Sequence, residues 1–275
     1  MHILAAVDLL RKSPETVVIE AATLARWGQS TVVDLLFVLA PNDDAEARKS
    51  ELRDLLTHID PPHRGMSRCA RGDTIAAIAD TAQNFDMLVI GSRRPSNQLE
   101  RIFLGSVAKR IARQVGIPLF VSRRESTHHQ PPKVLFGIAS ENAAQTIAMA
   151  RPTILALGGV VDLIHFDSSA LPWTAGSHPN LDDSYDTKRQ REEDRSTLTK
   201  LLRTFPNGHQ GTVIVQSGDA ARDLIEMSGD YDIVAITASM RSTFSRFLLG
   251  TVTEQVIEES TSDVLVFPPV GAEND

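Results

Sequence analysis

The strongest constraint on the fold is an internal repeat, because the second half of the chain reproduces the first. Four stretches recur in the same order: ILAAVD at 3–8 as VLFGIA at 134–139, VVDLLFV at 32–38 as VVDLIHF at 160–166, RGDTIAAIADTAQNFDMLVI at 71–90 as SGDAARDLIEMSGDYDIVAI at 217–236, and IFLGSV at 102–107 as FLLGTV at 247–252. A chain of 275 residues built in this way predicts two copies of one domain, each long enough to bury its own core.

Within each half, short apolar runs alternate with stretches of helical periodicity. The five runs of the first half lie at 3–7, 31–40, 66–70, 86–92 and 117–123. Strands that alternate with helices indicate a parallel sheet with helices on both faces, and right-handed crossovers make it doubly wound. The predicted fold class is α/β, with two tandem doubly wound parallel five-stranded sheets flanked by helices.

The composition of one segment also indicates where the first domain ends and the second begins. RRESTHHQPPK at 123–133 is polar, contains two prolines and separates two strands, as a linker does. We predict domain 1 at 1–123, a linker at 124–132 and domain 2 at 133–275. The repeat spacing grows from 128 to 146 residues within the second half, which places an insertion at about 167–200. That insertion is predicted to begin as a loop and to end as a charged helix.

Charge and cysteine content exclude several classes of protein. A net charge of −7 disfavours binding to nucleic acid, and the chain has no run of about 18 apolar residues that would predict a membrane span. Its single cysteine, Cys69, rules out an internal disulfide framework and is interpreted as a small buried side chain. These features predict a cytoplasmic protein that is not bound to membrane.

A polar loop between a strand and a helix is the first candidate site. The segment IGSRRPSNQLERIFLGSV at 90–107 passes from the strand end at Gly91 to a helix start at Gly105 and Ser106. Glycine lets backbone N–H groups approach phosphate oxygens, and a helix start adds unpaired N–H groups and a positive dipole end. Basic residues could hold an anion there or could form a solvated polar face: Arg93, Arg94, Arg101, Lys109 and Arg110. The alternative for Gly105, and for its counterpart Gly250 in the second half, is a tight turn before a helix that the fold needs without any ligand.

Three features together indicate a family: the strand DMLVIGS, the helix start LGSV and the terminal strand IPLFVSR. Similar stretches occupy the equivalent places in the second half, namely DIVAITA, LGTV and DVLVFPP. The chain resembles a tandem universal stress protein, two such domains fused. The resemblance implies a Rossmann-like fold of the adenine nucleotide alpha hydrolase type. In the nucleotide-binding branch of that family the loop reads Gly-x-x-Gly, then nine residues, then Gly-Ser or Gly-Thr. The resemblance therefore implies ATP as a ligand, with Mg²⁺ as its candidate companion.

The first half keeps most of that pattern. The resemblance implies that an aspartate faces the base and ribose and that the loop and helix start hold the phosphates, with these candidate residues: Asp8, Ile90, Gly91, Arg94, Gly105, Ser106 and Val107. Arg94 stands where the branch has its second glycine, and ten residues rather than nine separate it from Gly105. An arginine there could block a phosphate or could bind one, and the sequence leaves both open.

The second half departs further from the nucleotide-binding pattern. Ala139 replaces the aspartate, Thr237 and Met240 replace the two loop glycines, and only Gly250 and Thr251 remain. Side chains now stand where a backbone would have to approach phosphate. We therefore expect no nucleotide in the second half and at most one site per chain.

The functional hypothesis is a stress-response regulatory protein that binds ATP in its first domain only. The alternative is a scaffold that has lost ATP and binds another small molecule or a protein. Neither a P-loop nor a set of catalytic or metal-ligating residues is visible in the sequence, so we expect no enzymatic activity beyond slow ATP hydrolysis. We also expect a homodimer, and we expect the last strands of the two domains to pair within one chain, which covers otherwise exposed sheet edges.

Overall fold

The computed structural model describes residues 1–10, 13–28, 30–91, 107–123, 131–167, 181–238 and 249–270, and it describes their side chains except at 140 and 181–187. Elements of the first half are β1 His2–Ala6, α1 Glu15–Trp27, β2 Val32–Leu39, α2 Ala45–Leu56, β3 Arg64–Arg71, α3 Thr74–Ala82, β4 Met87–Gly91, α4 at 107–112 and β5 Leu119–Ser122. Elements of the second half are β6 Lys133–Gly137, α5 Ala143–Ala156, β7 Val160–Asp167, α6 Leu181–Leu202, β8 Gln210–Ser217, α7 Ala220–Met227, β9 Ile233–Thr237, α8 Thr251–Glu259 and β10 Asp263–Phe267.

The strands form one ten-stranded sheet in the order β3-β2-β1-β4-β5-β10-β9-β6-β7-β8. All neighbouring strands run parallel except β5 and β10, which are antiparallel. This order confirms the predicted doubly wound α/β fold in each half. The expected pairing of the last strands is also confirmed, since Phe120 of β5 lies opposite Leu265 of β10. The two five-stranded sheets are therefore fused along one antiparallel seam.

Apolar layers cover both faces of the sheet. On one face α1, α2, α5 and α6 pack their apolar residues on the strands, and on the other α3, α4, α7 and α8 do so. The central strands are almost fully buried, as parallel strands with helices on both sides must be. Their apolar runs explain why these segments form strands rather than amphipathic helices.

Each half anchors its edge strand with a buried aspartate. Asp34 of β2 accepts hydrogen bonds from Met66 N at 2.9 Å and Arg68 Nε at 2.5 Å. Asp162 of β7 accepts from Thr212 N at 2.6 Å and from the Tyr231 hydroxyl at 2.7 Å. At both places the strand register shifts by a bulge, so the carboxylate takes the place of a missing ladder partner.

The predicted insertion corresponds to the segment around α6, a charged helix of 22 residues, although 168–180 lie outside the described ranges. Residues 124–130 of the predicted linker also lie outside them. None of the helices in the described part of the chain is long and apolar enough to span a bilayer.

Candidate functional site

The sheet order creates a crevice between β1 and β4. From β1 the chain proceeds to β2 on one side and returns through β3 and α3 to β4 on the other side. Ala6 of β1 pairs with Ile90 of β4, so the carboxyl ends of both strands open at the same edge. Open α/β sheets bind ligands outside the carboxyl ends of such diverging strands. The same reversal occurs between β6 and β9 in the second half.

Asp8 lies at this edge, two residues beyond the end of β1, with an exposed side chain. Its Oδ1 accepts a hydrogen bond from Leu10 N at 3.1 Å, which is an Asx turn. The loop is held to the sheet because Val7 N donates to Leu36 O at 2.8 Å. The structure thus gives Asp8 a defined position beside the crevice.

Ile90 and Gly91 end β4 on the other side of the crevice. The Ile90 side chain is 6% exposed and packs in the core, so only its backbone can reach a ligand. Gly91 pairs with Ser122 of β5, and a Cβ at Gly91 would lie 3.3 Å from the Cβ of Val17 in α1. The close approach of α1 therefore gives this glycine a packing reason in addition to the predicted approach to phosphate.

Other predicted residues fall at the start of α4. Val107 is the first described residue of that helix, and its side chain is 40% exposed. Arg94, Gly105 and Ser106 lie outside the described residues, so their contact with phosphate stays a prediction.

The suggestion that Lys109 serves the loop needs correction. Lys109 Nζ donates to the carboxylate of Glu258 in α8, on the other half of the chain. Lys109 therefore belongs to the contact between the two halves. It lies in the first turn of α4, and its side chain extends toward α8. Arg110, one residue later, is exposed. Arg93 and Arg101 lie outside the described ranges.

The second half has the same frame with different side chains. Ile138 N donates to Ile164 O at 2.8 Å, as Val7 does to Leu36. An exposed Ala139 stands where Asp8 stood. Thr237 ends β9, and its Oγ1 is buried without a hydrogen-bond partner among the described residues. At the two described positions equivalent to Asp8 and Gly91, the second crevice thus has neither a carboxylate nor a bare backbone.

A family model now decides the identity of this repeated frame. The universal stress protein family model matches residues 1–123 and again residues 132–268. The chain belongs to the universal stress protein family. It is a tandem member, since each half matches the model separately.

Solved structures agree with this assignment of the fold. A universal stress protein from Pseudomonas aeruginosa UCBPP-PA14 superposes with a TM-score of 0.67 at 18% identity, covering 98% of this chain and 93% of that one. One from Archaeoglobus fulgidus DSM 4304 gives 0.68 at 17% identity, covering 97% and 98%. The cytoplasmic domain of a prokaryotic cation chloride cotransporter gives 0.51 at 11%, covering 99% and 97%. At such identities the likeness establishes the fold alone. No curated protein matches the chain.

This tandem universal stress protein has a polar network that the sequence analysis missed. Arg191 of α6 donates to Asp167, which ends β7, and to Ser217, which ends β8. Ser217 Oγ in turn donates to Asp167 Oδ1 at 2.9 Å. The repeat contained the signal, because Leu39, a buried apolar residue, stands in the first half where Asp167 stands in the second. The network ties α6 to the carboxyl edge of the second sheet.

His165 extends the same polar region. Its Nδ1 donates to Ile138 O at 2.9 Å, and its Nε2 lies 3.7 Å from Asp194 Oδ2 on α6. Phe37, which belongs to the apolar core, occupies the equivalent place in the first universal stress domain. The two domains therefore place different side chains at these two positions, Phe37 and Leu39 in the first and His165 and Asp167 in the second.

The described residues contain no group of three or more histidine, cysteine, aspartate or glutamate side chains placed to hold a metal ion. Burial raises the pKa of the half-buried Cys69 thiol, which makes it a poor nucleophile. His128, His129, His178 and Trp173 lie outside the described part of the chain, as does the side chain of Tyr185.

Proposed function

We propose that this tandem universal stress protein is a cytoplasmic stress-response regulator that binds one ATP, with Mg²⁺, in the crevice of its first domain and none in its second. One observation carries the proposal. Asp8 and Gly91 stand at the carboxyl ends of adjacent strands at the point where the strand order reverses, whereas Ala139 and Thr237 stand at the equivalent places.

The residues at the first crevice fit the base and ribose end of a nucleotide. An exposed carboxylate can accept hydrogen bonds from ribose hydroxyls, and the turn to Leu10 N sets the direction of the Asp8 side chain. The phosphates would extend toward Gly91 and the start of α4, near the positive end of that helix. In the second domain the same path would meet the side chain of Thr237.

Regulation requires that ATP bind two states of the protein with different affinity. We propose that ATP acts as such a ligand, not as a substrate, with hydrolysis slow or absent. We further propose that two chains form a homodimer and that a protein partner recognises the nucleotide-bound state.

The direct test is calorimetric titration of the purified protein with ATP and Mg²⁺, together with analysis of nucleotide released on denaturation. One site per chain is expected. Asp8→Asn keeps an oxygen that can accept from Leu10 N but removes the charge, and we expect it to weaken binding by about tenfold. The matched control is Ala139→Asp, which restores the carboxylate in the second domain and should leave the stoichiometry at one.

The alternative function, a scaffold for another small molecule or a protein, has a specific observation in its favour. Asp167, Arg191 and Ser217 form a polar network at one edge of the second domain, where the first domain has Leu39 in place of Asp167. Absence of ATP binding to the wild-type chain would overturn the nucleotide proposal in favour of this scaffold. Phosphate release above background that Asp8→Asn abolishes would instead indicate an enzyme.

A further inference from the structure

Several contacts join the universal stress domains, among them the β5–β10 strand pair and two ion pairs at α8. The basic partners of these ion pairs are Lys109 of α4 and Arg113, the residue that follows α4. Lys109 donates to Glu258, and the Arg113 guanidinium donates to Glu254. These four side chains are between 19% and 38% exposed, so water screens them less than it would a fully exposed pair.

The ion pairs are related by the pseudo-twofold symmetry of the repeat. Lys109 and Glu254 occupy equivalent positions 145 residues apart, and so do Arg113 and Glu258. Exchange of the two domains therefore converts one ion pair into the other. The first domain has a basic residue at each of these two positions, and the second domain has an acidic residue at each.

The centre of the strand seam contains no such division. Phe120 of β5 and Leu265 of β10 face each other and are themselves equivalent positions 145 residues apart, so the pseudo-twofold axis passes between them. Both strands are fully buried and mostly apolar. At this centre, a β5–β5 or β10–β10 pair between two chains would bury the same kind of residue in the same register. At the end of the seam Asp263 accepts a hydrogen bond from Arg123 N at 2.6 Å, and the two equivalent positions are Pro118 and Pro268, which cannot form that bond.

The charged side chains at the helices distinguish the correct pairing from the wrong ones. Pairing of two first domains would place Lys109 against Arg113 twice, and pairing of two second domains would place Glu254 against Glu258 twice. Like charges brought together at a partly desolvated contact are unfavourable, and specific interfaces use such repulsion against wrong partners.

We propose that Lys109, Arg113, Glu254 and Glu258 form a pairing code. The surface formed by β5 and α4 pairs with the surface formed by β10 and α8, but not with a second copy of itself. The partner that fits it is an apolar edge strand next to an acidic helix, which the same chain supplies. A homodimer whose chains each keep their own β5–β10 pair must then form through another surface.

The code is tested in the full chain by reversing charges. Lys109→Glu with Arg113→Glu sets acid against acid, the combination that two second domains would present, and Glu254→Lys with Glu258→Lys sets base against base. Each double variant should lower the equilibrium constant for folding by about tenfold or more, measured by denaturant titration. The quadruple variant exchanges the charges of the two helices and should recover most of that loss.

The matched control is Arg110→Glu with Glu259→Lys, which reverses charges on the same two helices at positions outside these ion pairs. It should change the folding constant by less than about threefold. A quadruple variant with no recovery beyond the summed effects of the two doubles would overturn the proposal. If either double fails to fold, the quadruple still decides, because a folded quadruple supports the code and an unfolded one contradicts it.

Discussion

At the scale of single residues, the repeated aspartates of β2 and β7 show how a buried charge is held. Burial of Asp34 disfavours its ionised form, but hydrogen bonds from Met66 N, His2 and Arg68 outweigh this, so the pKa of Asp34 lies below its ordinary value. Asp162 keeps the equivalent backbone donor, Thr212 N, and adds the Tyr231 hydroxyl. The pKa of Tyr231 is raised by burial and by the hydrogen bond to Asp162. The position and its backbone donor are the same in both domains, and only the side-chain donors differ.

The lowered pKa of Asp34 predicts a pH dependence of stability. A carboxyl whose folded pKa is depressed contributes stability above its unfolded value of 3.8, and the contribution is lost as pH falls from 3.8 through the folded pKa. Asp34→Asn should therefore be less stable than wild type at pH 7, with the difference shrinking below pH 4. Denaturant titrations across that range measure it, with the exposed Asp80→Asn as control. A difference that stays constant with pH would contradict the assignment.

Two glycines face these aspartates and should not tolerate a side chain. A Cβ at Gly65 would lie 2.0 Å from Asp34 Oδ1, and a Cβ at Gly211 would lie 2.0 Å from Asp162 Oδ1. Alanine at either position must displace the carboxylate or the edge strand, and we expect a loss of about 2 kcal/mol or more in unfolding free energy.

The control for these substitutions is Gly229→Ala, since the nearest atom to a Cβ there is 4.0 Å away. It should change the unfolding free energy by about 0.5 kcal/mol or less. Equal effects at Gly65 and Gly229 would show that the contact with the carboxylate does not matter.

At the scale of elements, equivalent helices of the two domains begin with the same cap. Asp73 Oδ1 accepts from Ile75 N and Ala76 N, both at 3.1 Å, at the start of α3. Asp219 does the same at the start of α7, from Ala221 N at 3.0 Å and Arg222 N at 3.1 Å. Aspartate is a favoured N-cap residue, so both caps can be read from the sequence. A capping hydrogen bond needs only residues that are adjacent in the chain.

Removal of either cap should destabilise the protein by a similar amount. We expect Asp73→Ala and Asp219→Ala each to cost about 1 kcal/mol, because two backbone N–H groups lose their acceptor. Asp73→Asn and Asp219→Asn keep an accepting oxygen and should cost less. Thermal unfolding of the four variants measures this order. Asparagine variants as unstable as the alanine variants would argue that charge, rather than the hydrogen bond, is what the position supplies.

At the scale of the whole molecule, the antiparallel seam makes one sheet from two domains. Phe120 is fully buried at the centre of that seam, opposite Leu265. Phe120→Ala should cost about 3–5 kcal/mol, since it leaves a cavity where the two cores meet. Because both domains share the seam, this substitution should increase the rate of amide hydrogen exchange in β1 and in β6 together.

Hydrogen exchange followed by mass spectrometry measures the two strands separately. The control is Leu52→Ala, a fully buried residue of α2 far from the seam in the strand order, which should also destabilise the protein. Exchange that increases only in the first domain after Phe120→Ala would show that the two domains unfold independently.

Much of the fold could be predicted from the sequence, because its signals are local. The apolar runs at 3–7 and 86–92, the cap at Asp73 and the repeat itself specify two α/β domains without knowledge of distant contacts. For the site, the sequence identified the crevice residues Asp8 and Gly91, whose position follows from the ends of two strands. The contact between Gly91 and Val17 could not be foreseen, since it depends on how closely α1 approaches the sheet.

By itself, the sequence determined the strand and helix order, the duplication and the loss of Asp8 and Gly91 equivalents in the second half. Only the tertiary structure decided that Lys109 faces Glu258 across the seam and that Asp167 binds Arg191. The physical reason is that helix and strand periods are set by neighbours in the chain. The partner of a charged side chain is set instead by which faces of two elements meet, and residues 149 positions apart meet only when the whole sheet has assembled.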